Sequence, residues 1–250
     1  MNSLRDLLLK TADDELIFGH RNSEWTGIGP TLEEDIAFSS MSQDKIGHSL
    51  ALYTILHEQL GEPNPDILGF TRDEKDFKSC HLVELPNEEF DFSLVRQFLF
   101  DHSEWLRWQS FSNAPFDPLS NLAKKINGEL KYHIMHANSW MRNLGKGNEE
   151  SHARMQQALN FAFPYALGIF ESIEGEQELI DEKIYVGEAQ LKADWLTNIE
   201  KVIKEANLTM PSATNSEEHF GGRKGYHTEH LQPMLLEMTE VFRQDTEAEW

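Results

Sequence analysis

Residues Ile36 to Leu60 read as one uninterrupted helix, and its most constraining feature is a triplet in the middle: Asp44, Lys45 and His48. An acid-x-x-His pair on an inward helix face is half of a carboxylate-bridged metal site. Here the position three before His48 is Lys45, and an ammonium has no lone pair to give a metal. The helix therefore has the shape of a ligand-bearing bundle helix with a cation where a carboxylate belongs.

The rest of the chain supports a helical bundle. Leu4, Leu7, Leu8, Leu9, Leu16, Ile17 and Phe18 recur at helical spacing and predict a first helix over 3–24, ended by Gly27, Gly29 and Pro30. Thr31 ahead of Glu33, Glu34 and Asp35 supplies an N-cap and an acidic first turn for the second helix, which runs to Gly61. Residues 63–91 read as an ordered loop with a short helix at 66–70. Further helices are predicted over 93–110, 119–143, from Asn148 to about 171, 189–206 and 228–243, with a short strand or turn at 184–187. Strand signals are almost absent. Short connectors pair helix one with two and three with four, which predicts an all-α, antiparallel four-helix core with additional C-terminal helices. No linker-like stretch interrupts the chain, so 1–250 is expected to form a single helical domain.

Composition narrows the function. Forty-three acidic against twenty-two basic side chains give a formal charge of −21, which opposes binding to nucleic acid and anionic lipid and favours a basic protein partner. No apolar run is long enough to span a membrane, and the N-terminal helix is broken by Asp13, Asp14 and Glu15, unlike a secretory signal. The single cysteine, Cys80, forms no disulfide framework within one chain and heads no nucleophile motif, so a reducing cytoplasm fits best.

Four segments carry a resemblance: ADDELIFGHRNSEWTGIGPTLEEDIAFSSMSQDKIGH, FTRDEKDFKSCHLVELPNEEFDF, KYHIMHANSWMRNLGKGNEESHARMQQALN, and GGRKGYHTEHLQPMLLEM. In this order, and with the terminal Trp250, the chain resembles the structural C-subunit family of ring 1,2-phenylacetyl-CoA epoxidase, a bacterial multicomponent oxygenase. The resemblance implies a ferritin-like fold with no functional di-iron centre and no cofactor of its own. It also implies tight association with a homologous catalytic A subunit that holds the irons, and with a small B subunit. Electrons would reach that partner from NADPH through a flavin and iron-sulfur reductase.

An antiparallel turn near residue 28 would bring Asp13 or Asp14 level with Asp44, and the third and fourth helices would bring Asp101 near Glu129 and His133. With Lys45 and His48 these are the degenerate counterparts of di-iron ligands. Glu129 and Tyr132 have half-site spacing with tyrosine in place of histidine, and His133 comes one residue late. One reading has Asp44, Lys45 and Glu129 forming an ion-pair network that replaces the metal's charge. A plainer one has Lys45 snorkelling outward. The rival is a genuine metalloenzyme in which Asp13 or Asp14, Asp44, His48, Asp101, Glu129 and His133 hold iron. A third possibility is a self-associating bundle. Glu149 and His152 have ligand spacing but sit in a first helical turn, where acids serve the dipole. Arg223, Lys224, His227 and His230, beside the glycines at 221, 222 and 225, are candidates for an interface or an anion site.

Overall fold

The computed structural model describes residues 2–212 and 219–245. Among those residues the regular structure is helical, without a strand: α1 (Asn2–Ser23), α2 (Leu32–Leu60), α3 (Pro65–Phe70), α4 (His81–Glu84), α5 (Phe90–Phe111), α6 (Asp117–Gly145), α7 (Glu149–Leu167), α8 (Glu176–Asp181), α9 (Glu188–Glu205) and α10 (Leu231–Met238). This is the all-helical architecture of a ferritin-like bundle. Trp250 lies outside the described residues.

The chain divides into two compact units, one made of residues 1–86 with 221–250 and the other of residues 87–220. In the first, α1 packs chiefly on α2. Thr31 caps α2 by accepting from the Glu34 amide, and Gly61 ends it at φ 74°, a left-handed conformation that favours glycine. The two helices run antiparallel, since Arg5 meets Glu62 near one end while Ser42 donates to the Gly19 carbonyl near the other. They approach closely there because Gly19 has no side chain: a Cβ at that position would lie 2.8 Å from the Ile46 side chain. From Leu7 to Gly19 every residue of α1 is buried, so the helix has no solvent face at all over this stretch.

In the second unit α5 packs on α6, α7 and α9. Asp101 near His133, and Asn127 donating to the Trp108 carbonyl, fix α5 and α6 as antiparallel neighbours. Trp195 of α9 donates its indole N–H to the Leu99 carbonyl at 2.9 Å and stacks on Phe163, which anchors α9 to the core. Arg107 is buried in a bidentate pair with Glu188 and is also held by Glu104, which accepts from Trp108 as well.

Sequence expectations and structure differ at several points. Residues 63–91 carry α4 as well as α3, and α8 lies where the sequence pattern predicts no helix; at four and six residues, neither is long enough to show a helical period. Of the strand or turn expected at 184–187 there is no strand: a turn at 182–183, closed by a bond from the Ile184 amide to the Leu179 carbonyl, leads into an extended connection to α9. The last long helix shrinks to Leu231–Met238, followed by a tight 3-10 turn at 242–244.

Candidate functional site

Three consecutive acids, Asp13, Asp14 and Glu15, are all buried in the middle of α1. Successive residues on a helix point about 100° apart, so each faces a different neighbour. Asp13 accepts from Arg72 at 2.5 Å and 3.1 Å, from the Tyr53 hydroxyl at 2.5 Å and from the Lys78 amide at 2.7 Å. Asp14 holds Arg223 bidentately at 2.7 Å on each oxygen and accepts from the Cys80 amide. Glu15 faces α2, with Lys45 Nζ at 3.7 Å and His48 Nδ1 at 3.5 Å from its Oε2.

The carboxylate that meets the Lys45 and His48 face is therefore Glu15, and not Asp13 or Asp14. The reason is register. Contacts between α1 and α2 are centred near roughly residue 32 rather than 28. That difference moves the facing level of α1 by about eight residues, or roughly two turns, toward its C-terminal end, which sets the Lys45 backbone against Gly19, from where Nζ reaches Glu15 about one turn away.

Lys45 has no solvent exposure and does not snorkel. Besides Glu15 it faces the Phe18 ring, with Nζ 5.0 Å from the centroid, a second favourable contact for an ammonium. Asp44 is half-buried, one residue and about 100° away from that face.

In the other unit Asp101 and His133 are both fully buried and lie 3.9 Å apart across α5 and α6. Gln97, one turn earlier on α5, donates to Asp101. Glu129 is half-buried, and Tyr132 points outward and is 43% exposed, so the Glu-x-x-Tyr spacing does not make an inward pair. His136 is buried beside Tyr132.

The donor chemistry does not suit a metal at the α1 and α2 site. Glu15 and His48 would supply two donors, but the fully buried Lys45 ammonium stands beside the same carboxylate and competes with any cation for it. Among the described residues no group of three or more His, Cys, Asp or Glu is placed to hold a metal ion.

The C-terminal candidates serve the first unit from within. Arg223 is turned inward, its guanidinium held by Asp14 and by the Lys78 carbonyl, so its charge is not presented to an outside anion. Lys224 is exposed and lines a cleft of mixed charge with Arg5, Lys75, Lys78, Glu62 and Asp76. His227 donates from Nε2 to the Phe77 carbonyl over 3.1 Å, and its Nδ1 meets the Glu84 carboxylate over 2.7 Å. Burial alone would lower its pKa, but the hydrogen bond and charge of Glu84 outweigh that and leave it raised. His230 contributes its carbonyl to Arg21. Gly222 makes this docking possible, because a Cβ there would come within 1.9 Å of the Ser79 carbonyl oxygen. His152 is tied to the Gly145 carbonyl at 2.7 Å and secures a helix junction. The Cys80 thiol is pushed well up in pKa by burial and by Asp14, which makes it a poor nucleophile.

No helix among the described residues is long and apolar enough to cross a membrane. A family model for phenylacetic acid catabolic proteins matches residues 1–250. The chain is 33% identical over 250 residues to the Escherichia coli (strain K12) protein named as the C subunit of 1,2-phenylacetyl-CoA epoxidase, and the match covers all of both chains. A match of this extent, over a helical body carrying the Glu15, Lys45 and His48 cluster, places the chain in the phenylacetic acid catabolic protein family.

Proposed function

We propose that the chain is a non-catalytic structural subunit of a multicomponent 1,2-phenylacetyl-CoA epoxidase, supporting a separate catalytic subunit in aerobic phenylacetate degradation. The observation that carries this reading is Lys45: fully buried, paired with Glu15, on the helix face where an inward metal half-site needs a carboxylate. Inward carboxylates of a bundle repel one another unless they are neutralised. A metal supplies that neutralisation in a di-iron protein, and here the protein's own cation does so. The helix pair keeps its packing without a metal, and the chemistry is left to a partner.

On this reading the di-iron centre and the catalytic residues belong to the partner A subunit, a small B subunit joins them, and NADPH serves the complex rather than this chain. The whole acts in the cytoplasm as a hetero-oligomer. The relative's own name, a subunit of an epoxidase, supports membership of such an assembly.

The test is to express the chain alone and together with the other epoxidase subunits in iron-rich medium, then measure bound iron and phenylacetyl-CoA turnover. The reading expects substoichiometric iron and no turnover for the chain alone, and a stable complex on gel filtration when the subunits are combined. Near-stoichiometric iron with oxygen consumption in the isolated chain would instead establish a di-iron oxygenase in its own right.

A further inference from the structure

The outer face of α2 is unusual for so acidic a chain. Leu32 is 72% exposed, Ile36 60%, Ile46 40% and Leu50 54%. At 100° per residue these four, with Gln43 and Gly47, fall within an arc of about 100° and form one strip about 27 Å long. Every exposed residue from Ile36 to Leu50 is uncharged: Ile36, Ser40, Gln43, Ile46, Gly47 and Leu50. Gly47 adds open space, since nothing lies within 4 Å of where its Cβ would be, so a second backbone can come close there.

Scattered exposed apolar residues need no explanation, but a contiguous uncharged strip on the order of a few hundred Å2 marks a contact surface. Loss of charge at the centre is also what distinguishes the core of a protein interface from ordinary surface. The occupant is constrained by charge. A second copy would bring two bodies of formal charge −21 together, and nucleic acid or anionic lipid would meet the same repulsion. Exposed Glu33 stands on one flank of the strip at about 100° from Leu32 by helical rotation, and exposed Glu58, at about 80°, continues that acidic side about 12 Å beyond Leu50. The matching surface is a helix with an apolar row and basic residues along one side.

We propose that the Leu32–Leu50 face of α2 is the docking surface for such a helix on another subunit of the epoxidase. The proposal rests on the subunit reading above and adds to it which face is used. A length of about 27 Å matches two helices crossing at a shallow angle.

The experiment co-expresses the tagged chain with the remaining epoxidase subunits and compares wild type with Ile36→Glu/Leu50→Glu and with Gln43→Arg, an exposed polar position that cannot unseat the core. Leu236→Glu, at an exposed site on α10, is the control. The expected result is at least about a tenfold loss of co-purified partner for both strip variants, as for burial of an unpaired charge. Melting temperature and helical content should be unchanged, and the control should behave as wild type. Retention of the partner by the strip variants overturns the proposal while leaving the subunit reading intact. So does an effect confined to the mass of the isolated chain, which would mean self-association. If the wild-type chain retains no other subunit, the subunit reading fails first and takes the docking surface with it.

Discussion

Lys45 Nζ stands 3.7 Å from Glu15 Oε2 with neither side chain exposed to solvent, so α1 and α2 meet across a buried ion pair. Removing one member leaves the other charged and uncompensated. Lys45→Met should destabilise the chain by about 3–5 kcal/mol, whereas Glu15→Leu/Lys45→Met should recover most of that loss, since a pair replaced by apolar side chains of similar volume is often neutral. Urea unfolding followed by circular dichroism measures both. Equal destabilisation of the single and double variants would contradict the pair.

Lys45→Glu restores a carboxylate-x-x-His sequence, but it should not create activity. It places a new carboxylate beside Glu15, and among the described residues no group of three or more His, Cys, Asp or Glu stands ready to complete a metal site. The expected outcome is a less stable protein without phenylacetyl-CoA turnover. Iron analysis and a turnover assay on the isolated variant check it.

Arg107 is buried in a bidentate bond to Glu188 and also holds Glu104. Burial opposes its charge, yet the two carboxylates raise its pKa further. Arg107→Leu should cost about 3–5 kcal/mol. Arg107→Lys should rescue only part of it, because a lysine cannot make the forked contact. Denaturant midpoints of the two variants give the ranking.

His227 links the segment after Gly221 to Glu84, and its raised pKa fixes the sign of a pH effect. A group whose pKa is raised on folding contributes its full stabilisation below the unfolded value, near about 6.5, and loses it as pH rises through the folded value. His227→Gln should therefore be more destabilising at pH 6 than at pH 9. Thermal melts of both proteins across that range test it, and a gap that widened toward alkaline pH would refute the assignment.

Gly222→Ala should weaken the same docking, because its Cβ would run into the Ser79 carbonyl, a backbone atom that cannot move aside cheaply. A loss of about 1–3 kcal/mol is expected, as for overpacking. Faster proteolytic cleavage C-terminal to residue 220 would accompany it.

What is legible in the sequence follows from how each signal is made. The long helices announce themselves by apolar period and by their ends, as at Thr31 and Gly61. Lys45 is legible as an anomaly because it sits three residues before a histidine. Glu15 is not, because a helix buried on every side has no preferred face, and three adjacent acids look alike until their neighbours are known. The partners that separate them, Arg72 and Arg223, lie 59 and 209 residues away, and sequence spacing says nothing of such distances. Arg223 reads as a surface cation for the same reason: nothing local tells that a glycine turn carries it inward.

The run Asp13, Asp14, Glu15 works like the wards of a key. Arg72, Arg223 and Lys45 approach α1 from three directions, and each fits only one of the three acids. Rolling the helix by a single residue would mismatch all three contacts together, with no neighbouring arrangement to fall into. The setting of this helix is thus chosen by the heavy cost of every alternative, and natural variation should exchange side chains along α1 far more readily than it changes the helix's phase.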